Sequence, residues 1–271
     1  MNDQEWVRFL QWALPRMRMY WPGFRKVRKN IIKRIHKRIQ VLQLADTTAY
    51  QHYLEGHPEE WTILDGLCRV TISRFYRDKM VFAVLEKEIL TAQARQIMEC
   101  GEDTLRVWSA GCASGEEPYS LSILWILRLH TLFPELAIAI LATDADPTLL
   151  QRAESACYPF SSVKNLSSEW RKMAFTQTDD SYCLHPEYKR HVTLLQHDIR
   201  DPVPDGPFQL ILCRNLVFTY FEHELQCELA QHLRESLADG GVLLLGVHER
   251  LPEGISGFVA RNQRLGIYQK Q

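Results

Sequence analysis

The chain of 271 residues has little excess charge and no long apolar run. Lys and Arg total 32 against 33 Asp and Glu, so the formal net charge of −1 draws the whole protein neither to nucleic acid nor to anionic lipid. Apolar runs fall short of the roughly 18 residues that a membrane-spanning helix needs. The first residues, MNDQE, lack the basic and then apolar pattern of a secretory signal. We therefore expect a cytoplasmic protein that serves a charged partner through a local patch.

Cysteine spacing argues against disulfides and against zinc. The seven cysteines are odd in number, lie far apart and form no C-x-x-C motif. This spacing is unlike that of a disulfide framework or of a structural zinc site. We expect buried thiols in a reducing compartment, and no metal.

Two regions differ in their pattern. Residues 1–80 are predicted to form a helical N-terminal domain, because apolar residues recur at helical spacing from Phe24 to Leu42. Residues 81–271 alternate short apolar runs with helical segments, which predicts a doubly wound, Rossmann-like α/β sheet. Residues 158–191 interrupt the alternation and are expected to form a small inserted β subdomain. The predicted strands are 106–109, 137–142, 192–195, 208–213, 241–246 and 264–268.

The segment 111–115, Gly-Cys-Ala-Ser-Gly, follows a predicted strand and precedes a predicted helix. Its glycines allow the backbone to approach a ligand closely. Glu116 and Glu117 stand where a phosphate-binding loop needs Lys and Ser or Thr, the third glycine of the dinucleotide motif is absent, and the serine is misplaced for a nucleophile elbow. Two carboxylates suit instead a ligand with an ammonium and a sulfonium, such as the methionine part of S-adenosylmethionine.

Asp144 ends the next predicted strand, where an acid can accept hydrogen bonds from ribose hydroxyls. From the residues alone, a structural glycine turn with a capping acid remains the alternative.

Four segments in order carry a resemblance to a known family. Residues 106–120, RVWSAGCASGEEPYS, closely resemble the cofactor motif of the CheR-type chemotaxis receptor methyltransferases. Residues 71–77, 142–146 with 156–159, and 212–221 resemble further segments of that family. The likeness spans roughly residues 25–271, with a basic helical region and a small insertion in the expected places.

The resemblance implies methyl transfer from S-adenosylmethionine to a glutamate side-chain carboxylate of an acidic, chemoreceptor-like protein. It implies that Glu117 holds the ammonium of the methionine part and that Asp144 holds the ribose. The remaining residues that it places at the cofactor are Thr71, Ser73, Arg77, Gly111, Asp198, Ile199, Arg214 and Asn215.

Arg77 and Tyr220 are the residues expected to orient the acceptor. A carboxylate is ionised at pH 7, so the transfer needs alignment and charge neutralisation rather than a general base. A guanidinium can hold a carboxylate through two parallel hydrogen bonds. The chain departs from the family pattern in having four residues, 216–219, before Tyr220 where three are usual, and in Arg74 and Tyr76. These departures concern the acceptor side.

Residues 25–38 hold eight cations and no acid. Together with isoleucines at helical spacing, this pattern predicts an amphipathic helix with one basic face. Two interpretations fit this pattern. One is a solvated helix face, and the other is a docking surface for an acidic protein, which the resemblance implies to be a receptor helix. Stable nucleic acid binding and membrane insertion are not expected. The cations are Arg25, Lys26, Arg28, Lys29, Lys33, Arg34, Lys37 and Arg38.

Two other functions remain open at this stage. One is a methyltransferase of the same fold that acts on a small molecule or RNA, motivated by the extra residue before Tyr220. The other is a non-catalytic module that senses the cofactor.

Overall fold

The structure, a computed structural model, describes residues 2–271. Its contacts group the chain into two units. The first comprises the residues through Thr71 together with Leu216–Gln226, and the second comprises Ile72–Asn215 and Cys227–Gln271. The domain division expected from the sequence, 1–80 and 81–271, stays a prediction.

The first unit is helical. Its first helix begins with a capping box, in which the Asn2 side chain accepts from the Glu5 N–H at 2.9 Å and the Glu5 carboxylate accepts from the Asn2 N–H at 2.8 Å. Ile31, Ile35 and Ile39 form the buried stripe that their spacing of four predicts. The helices of this unit are α1 (Asp3–Arg16), α2 (Trp21–Phe24), α3 (Arg28–Val41), α4 (Thr47–Gly56), α5 (Pro58–Cys68) and α13 (Val217–Tyr220).

A buried acid, Glu60, joins three helices of this unit. Its side chain is 2% exposed and accepts from Arg38 Nε at 2.8 Å, from Arg38 Nη2 at 2.6 Å and from the Tyr50 hydroxyl at 2.8 Å. Burial alone would raise the pKa of Glu60, but the hydrogen bonds from Arg38 and Tyr50 outweigh it, and the pKa lies below its ordinary value. Arg38 therefore serves the interior of the unit as well as its basic face.

The second unit is built on an α/β sheet. Within residues 2–271 its strands are β1 (Thr104–Ala110), β2 (Ala137–Asp144), β3 (Cys157–Tyr158), β4 (Phe175–Gln177), β5 (Tyr182–Leu184), β6 (Val192–Gln196), β7 (Phe208–Cys213), β8 (Leu237–Leu245), β9 (Phe258–Asn262) and β10 (Ile267–Lys270). Seven of them form one sheet in the order β6-β2-β1-β7-β8-β10-β9. The first five in that order pair in parallel, and β10 runs antiparallel to both its neighbours.

This order confirms the predicted doubly wound α/β fold, in which the strand order reverses beside β1. All six residues of β7 are buried, as a strand covered on both faces requires. β9 escaped prediction because its residues are mostly exposed and it lies at the sheet edge. The strand predicted at 241–246 begins earlier, at Leu237, so that Gly240 and Gly241 lie inside β8.

Helices flank this sheet in sequence. They are α6 (Lys79–Val84), α7 (Leu90–Glu99), α8 (Glu116–Leu124), α9 (Pro147–Ser155), α10 (Phe160–Val163), α11 (Ser168–Ala174), α12 (Pro186–Lys189) and α14 (His223–Ser236). The segments Leu85–Ile89 and Trp125–Leu129 are single π-helical turns, and Gln263–Leu265 is a 3-10 turn. None of the helices within residues 2–271 is both long and apolar enough to cross a membrane.

The inserted subdomain is a three-stranded sheet in the order β3-β5-β4. It lies in the part of the chain where the sequence predicts an insertion, and it begins one residue earlier, at Cys157. The expectation of thiols throughout is wrong for one pair, because Cys157 and Cys183 form a disulfide. They lie directly opposite each other in the antiparallel pairing of β3 with β5, a register that their separation of 26 residues does not show.

Candidate active site

The Gly-rich turn between β1 and α8 is fixed to the end of β2. The N–H groups of Gly111 and Cys112 both donate to the Thr143 carbonyl at 2.8 Å. Gly111 and Gly115 have φ of 75° and 88°, in the region that favours glycine. A Cβ at Gly115 would lie 2.9 Å from the ring of Tyr119, so this position also lacks space for a larger residue.

Asp144 holds the turn from the other side. One of its carboxylate oxygens accepts from the Ala113 N–H at 2.8 Å, and the other accepts from the Asp146 N–H at 3.0 Å. Ala113 has a φ of 50°, a strained value that this hydrogen bond helps to maintain. The acid therefore lies at the carboxyl end of β2, where ligands of doubly wound folds bind.

Glu117 lies in the first turn of α8, with both carboxylate oxygens engaged. Oε1 accepts from the Ser109 hydroxyl at 3.0 Å, and Oε2 accepts from Arg214 Nη1 at 3.0 Å. The Glu117 side chain is 15% exposed and that of Arg214 only 2%. The acid is thus oriented from β1 and from the end of β7, and it remains within reach of a ligand.

Arg214 also binds a second acid. Its Nη2 donates to Asp78 Oδ2 at 2.5 Å and to the Arg77 carbonyl at 3.5 Å. Its Nε is buried and has no hydrogen-bond partner among residues 2–271. Glu117, Asp78 and Arg214 together carry one net negative charge, which suits a cationic ligand.

Arg77 lies beside this cluster but is held by neutral groups. Its Nη1 donates to the Ile72 carbonyl at 3.1 Å, and its Nη2 donates to Asn215 Oδ1 at 3.3 Å. Asn215 has a φ of 55°, and its N–H donates to Glu249 Oε2 at 2.6 Å. Glu249, which is 2% exposed, therefore fixes the backbone that presents Asn215.

Ser73 and Tyr76 attach the segment before Arg77 to the start of α8. The Ser73 side chain hydrogen-bonds to Glu116, and the Tyr76 N–H donates to the Ser120 hydroxyl at 3.0 Å. Glu116 is 3% exposed, and burial raises the pKa of its carboxyl. Its Oε2 has no partner in the described part of the chain.

Asp198 and Ile199 follow β6. Arg200 donates to the Asp198 carboxylate from Nε at 2.8 Å and from Nη2 at 2.7 Å, so this acid is paired within its own loop. Ile199 is 8% exposed. Their expected position at the cofactor stays a prediction.

Thr71 and Tyr220 belong to the first unit. Thr71 is exposed. The ring of Tyr220 packs on Phe24 with centroids 4.9 Å apart, and its carbonyl accepts from the Tyr20 N–H at 2.7 Å. The roles predicted for Thr71 at the cofactor and for Tyr220 at the acceptor stay predictions.

The structure brings together Arg77, Glu117, Arg214 and Asn215 through direct hydrogen bonds, and Gly111 and Asp144 through the Gly-rich turn. Sequence reasoning missed Asp78 and Ser109 as partners of this cluster. Asp78 directly follows Arg77, and Ser109 lies within the motif at 106–120. Their nearness in sequence to predicted site residues is the signal that could have identified them. Across residues 2–271 no group of three or more His, Cys, Asp or Glu side chains is placed to hold a metal ion.

The fold is a doubly wound sheet with a Gly-rich turn after its first strand. Acids lie next to that turn and at the end of β2. This combination is typical of a Rossmann-like methyltransferase that uses S-adenosylmethionine. The model of the family described as "CheR methyltransferase, SAM binding domain" matches residues 71–264. The chain belongs to this CheR methyltransferase family and is an S-adenosylmethionine-dependent methyltransferase.

Curated relatives agree with this assignment. The chemotaxis protein methyltransferase of Listeria innocua serovar 6a is 36% identical over 186 residues, which are 69% of this chain and 68% of that protein. Chemotaxis protein methyltransferase 2 of Vibrio cholerae serotype O1 is 28% identical over 256 residues, 92% of this chain and 86% of that protein.

Solved structures give a weaker likeness. The glycopeptide N-methyltransferase MtfA complexed with S-adenosyl-L-methionine aligns over 57% of this chain and 53% of that chain, with 16% identity and a TM-score of 0.34. TehB from Haemophilus influenzae aligns over 57% of this chain and 39% of that chain, with 12% identity and a TM-score of 0.32. At these scores neither structure bears on the substrate.

Proposed function

We propose that the chain methylates glutamate side chains of an acidic, chemoreceptor-like protein in the cytoplasm. The observation that carries the proposal concerns Arg77, a cation that within residues 2–271 donates hydrogen bonds to the neutral oxygens of Ile72 and Asn215. The two acids of the neighbouring cluster, Asp78 and Glu117, pair with Arg214 and not with Arg77. An anionic acceptor is the natural partner for such a guanidinium.

The names of the relatives support a role in chemotaxis. The Listeria and Vibrio proteins, and a Salmonella typhimurium protein 28% identical over 260 residues, are chemotaxis protein methyltransferases. We carry that role to this chain as a proposal.

The residues of the site fit the cofactor. The acid cluster has a net charge of −1, which the methionine ammonium would balance, and Glu117 is the member that directly follows the Gly-rich turn. We expect Asp144, at the carboxyl end of β2, to accept hydrogen bonds from the ribose hydroxyls. Bound S-adenosylmethionine would supply a methyl group on a positively charged sulfur. When the methyl group passes to the acceptor, the sulfur becomes a neutral thioether.

The protein's own contribution is alignment and charge compensation. The acceptor carboxylate is ionised at pH 7 and needs no base. Arg77 uses about two of its five N–H groups on internal partners, so others are available to hold the carboxylate in line with the methyl group. The segment that carries Arg77 is held to α8 by Ser73 and Tyr76, which limits its freedom at the moment of transfer.

The basic face of α3 is the proposed docking surface for the acidic partner. Three of the eight cations have internal partners: Arg28 pairs with Asp3, Arg34 donates to the Arg69 carbonyl, and Arg38 pairs with Glu60. The exposed remainder is Lys29, Lys33 and Lys37 on α3, with Arg25 and Lys26 in the turn before it. Lys29, Lys33 and Lys37 are spaced by four residues and form one stripe along α3.

The test uses tritium-labelled S-adenosylmethionine and a protein extract from cells that naturally produce the chain. We expect label to enter acidic protein and to be released as methanol by mild alkali, because carboxyl methyl esters are base-labile. Label that survives alkali, or that enters RNA or small molecules instead, would contradict the glutamate acceptor.

A further inference from the structure

Asp78 is a second acid on Arg214 that no motif identifies. Arg214 Nη2 lies 2.5 Å from Asp78 Oδ2, and Nη1 lies 3.0 Å from Glu117 Oε2. A single guanidinium charge is therefore shared between two carboxylates. The shorter of the two contacts is the one to Asp78, so Glu117 does not have the charge of Arg214 to itself.

The local backbone shows that the Asp78 side chain serves this contact rather than its helix. Asp78 precedes α6 and has a φ of 62°, a conformation unusual for a residue other than glycine. Aspartate at this position normally accepts a hydrogen bond from the first turn of its helix. Here the side chain makes no capping bond, and the carboxylate lies on Arg214.

Charge counting gives Asp78 a function. With Asp78, the cluster with Glu117 and Arg214 has a net charge of −1, and a bound ammonium brings it to zero. Without Asp78, Arg214 would neutralise Glu117 completely, and the ammonium would meet a cluster with no net negative charge. Arg214 is only 2% exposed, so solvent screens this imbalance weakly.

We propose that Asp78 is a positioning residue that withdraws Arg214 from Glu117 and so keeps Glu117 negative toward the ammonium of the cofactor. The inference rests on the proposed role of Glu117 as the ammonium partner. It also links the segment before α6, which carries Arg77, to the cofactor's amino-acid end.

The experiment is calorimetry with two probes, S-adenosylhomocysteine and 5′-methylthioadenosine, which lacks the amino-acid part. We expect D78N to weaken S-adenosylhomocysteine about tenfold, the loss of roughly one partly buried charge interaction, while 5′-methylthioadenosine binds within about twofold of wild type. D78E should recover most of the affinity. D179N, which removes an exposed acid between β4 and β5, is the charge-matched control and should bind both probes normally.

Unchanged S-adenosylhomocysteine binding by D78N would overturn the inference alone. An equal loss for both probes would also overturn it, since Asp78 would then act by ordering the segment and not through the ammonium. Failure of the wild-type protein to bind S-adenosylhomocysteine would overturn the proposed function of the site and the inference with it.

Discussion

The two arginines of the site differ in what holds them. Arg214 is almost fully buried and binds two carboxylates, whereas Arg77 is partly exposed and binds the oxygens of Ile72 and Asn215. An unpaired charge on the desolvated Arg214 would be unfavourable in free energy, and the ion pairs with its two acids offset this penalty. Arg77 keeps an uncompensated charge at lower cost because it retains contact with water. Of these two arginines, Arg77 is therefore the one that we propose for holding the acceptor.

Replacing Arg77 should slow methyl transfer more than it weakens cofactor binding. We expect R77A to lower kcat roughly 100-fold, equivalent to about 2.7 kcal/mol, because one charged orienting contact is lost in the transition state. R77K should recover little, since an ammonium lacks the two-pronged geometry of a guanidinium. The measurement is base-labile label formed per minute at saturating cofactor.

The control for this prediction is R74A, which removes an exposed arginine three residues away. It should keep kcat within about twofold of wild type, as surface substitutions usually do. Wild-type kcat in R77A would contradict the role of Arg77.

At the scale of elements, α3 has two separate tasks. Its isoleucines are buried, and Lys29, Lys33 and Lys37 lie exposed along one stripe. Arg38, on the same helix, turns to Glu60 instead. A count of basic residues in the sequence treats Arg38 and Lys37 alike, but of the two only Lys37 belongs to the exposed stripe that we propose as the docking surface.

Reversing charge on the stripe should weaken the protein substrate and not the cofactor. We expect K33E/K37E to raise the apparent KM for extract protein roughly tenfold, because each exposed pair contributes about 0.2–1 kcal/mol and reversal replaces attraction by repulsion. K87E/R95E reverses two exposed cations elsewhere and should leave KM unchanged. Equal effects of the two double variants would show that net charge, not the stripe, governs the reaction.

The Glu60 network should govern the acid stability of the first unit. The pKa of Glu60 lies below its ordinary value because the hydrogen bonds from Arg38 and Tyr50 outweigh the effect of burial. Its contribution is therefore present above the unfolded pKa, about 4.3, and is lost as pH falls below that value through the folded pKa.

We expect E60Q to lower the free energy of unfolding at pH 7 by about 2–3 kcal/mol, somewhat less than for a fully buried pair because Arg38 is 26% exposed. The difference from wild type should shrink below about pH 4. Urea unfolding at both pH values measures it. E59Q, at an exposed neighbour, should match wild type throughout, and a pH-independent loss in E60Q would contradict the assignment.

At the scale of the whole molecule, the sequence predicted what depends on continuous local patterns. β7 is predicted with its observed bounds, 208–213, because a short run that is apolar except for Gln209 is typical of a strand covered on both faces. The Gly-rich turn and Asp144 lie close together at the carboxyl ends of β1 and β2, as the sequence predicts, because neighbouring parallel strands end on the same side of the sheet.

What the sequence did not predict depends on residues far apart in the chain. The Cys157–Cys183 disulfide follows from the register of β3 with β5, and the pairing of Arg38 with Glu60 follows from how α3 packs on α5. Asp78 escaped notice for the same reason, because its partner Arg214 is 136 residues away. Such contacts become visible only when the fold brings the elements together.

The central claim is that Glu117, in the first turn of α8 just after the Gly-rich turn, binds the cofactor, and calorimetry with S-adenosylhomocysteine tests it directly. The wild-type protein should bind with one site per chain, and E117Q should bind at least about tenfold more weakly, because the ammonium loses its charged partner. E102Q, at an exposed acid before β1, should bind like wild type. Absence of binding to the wild-type protein, or equal affinity in E117Q, would contradict the account.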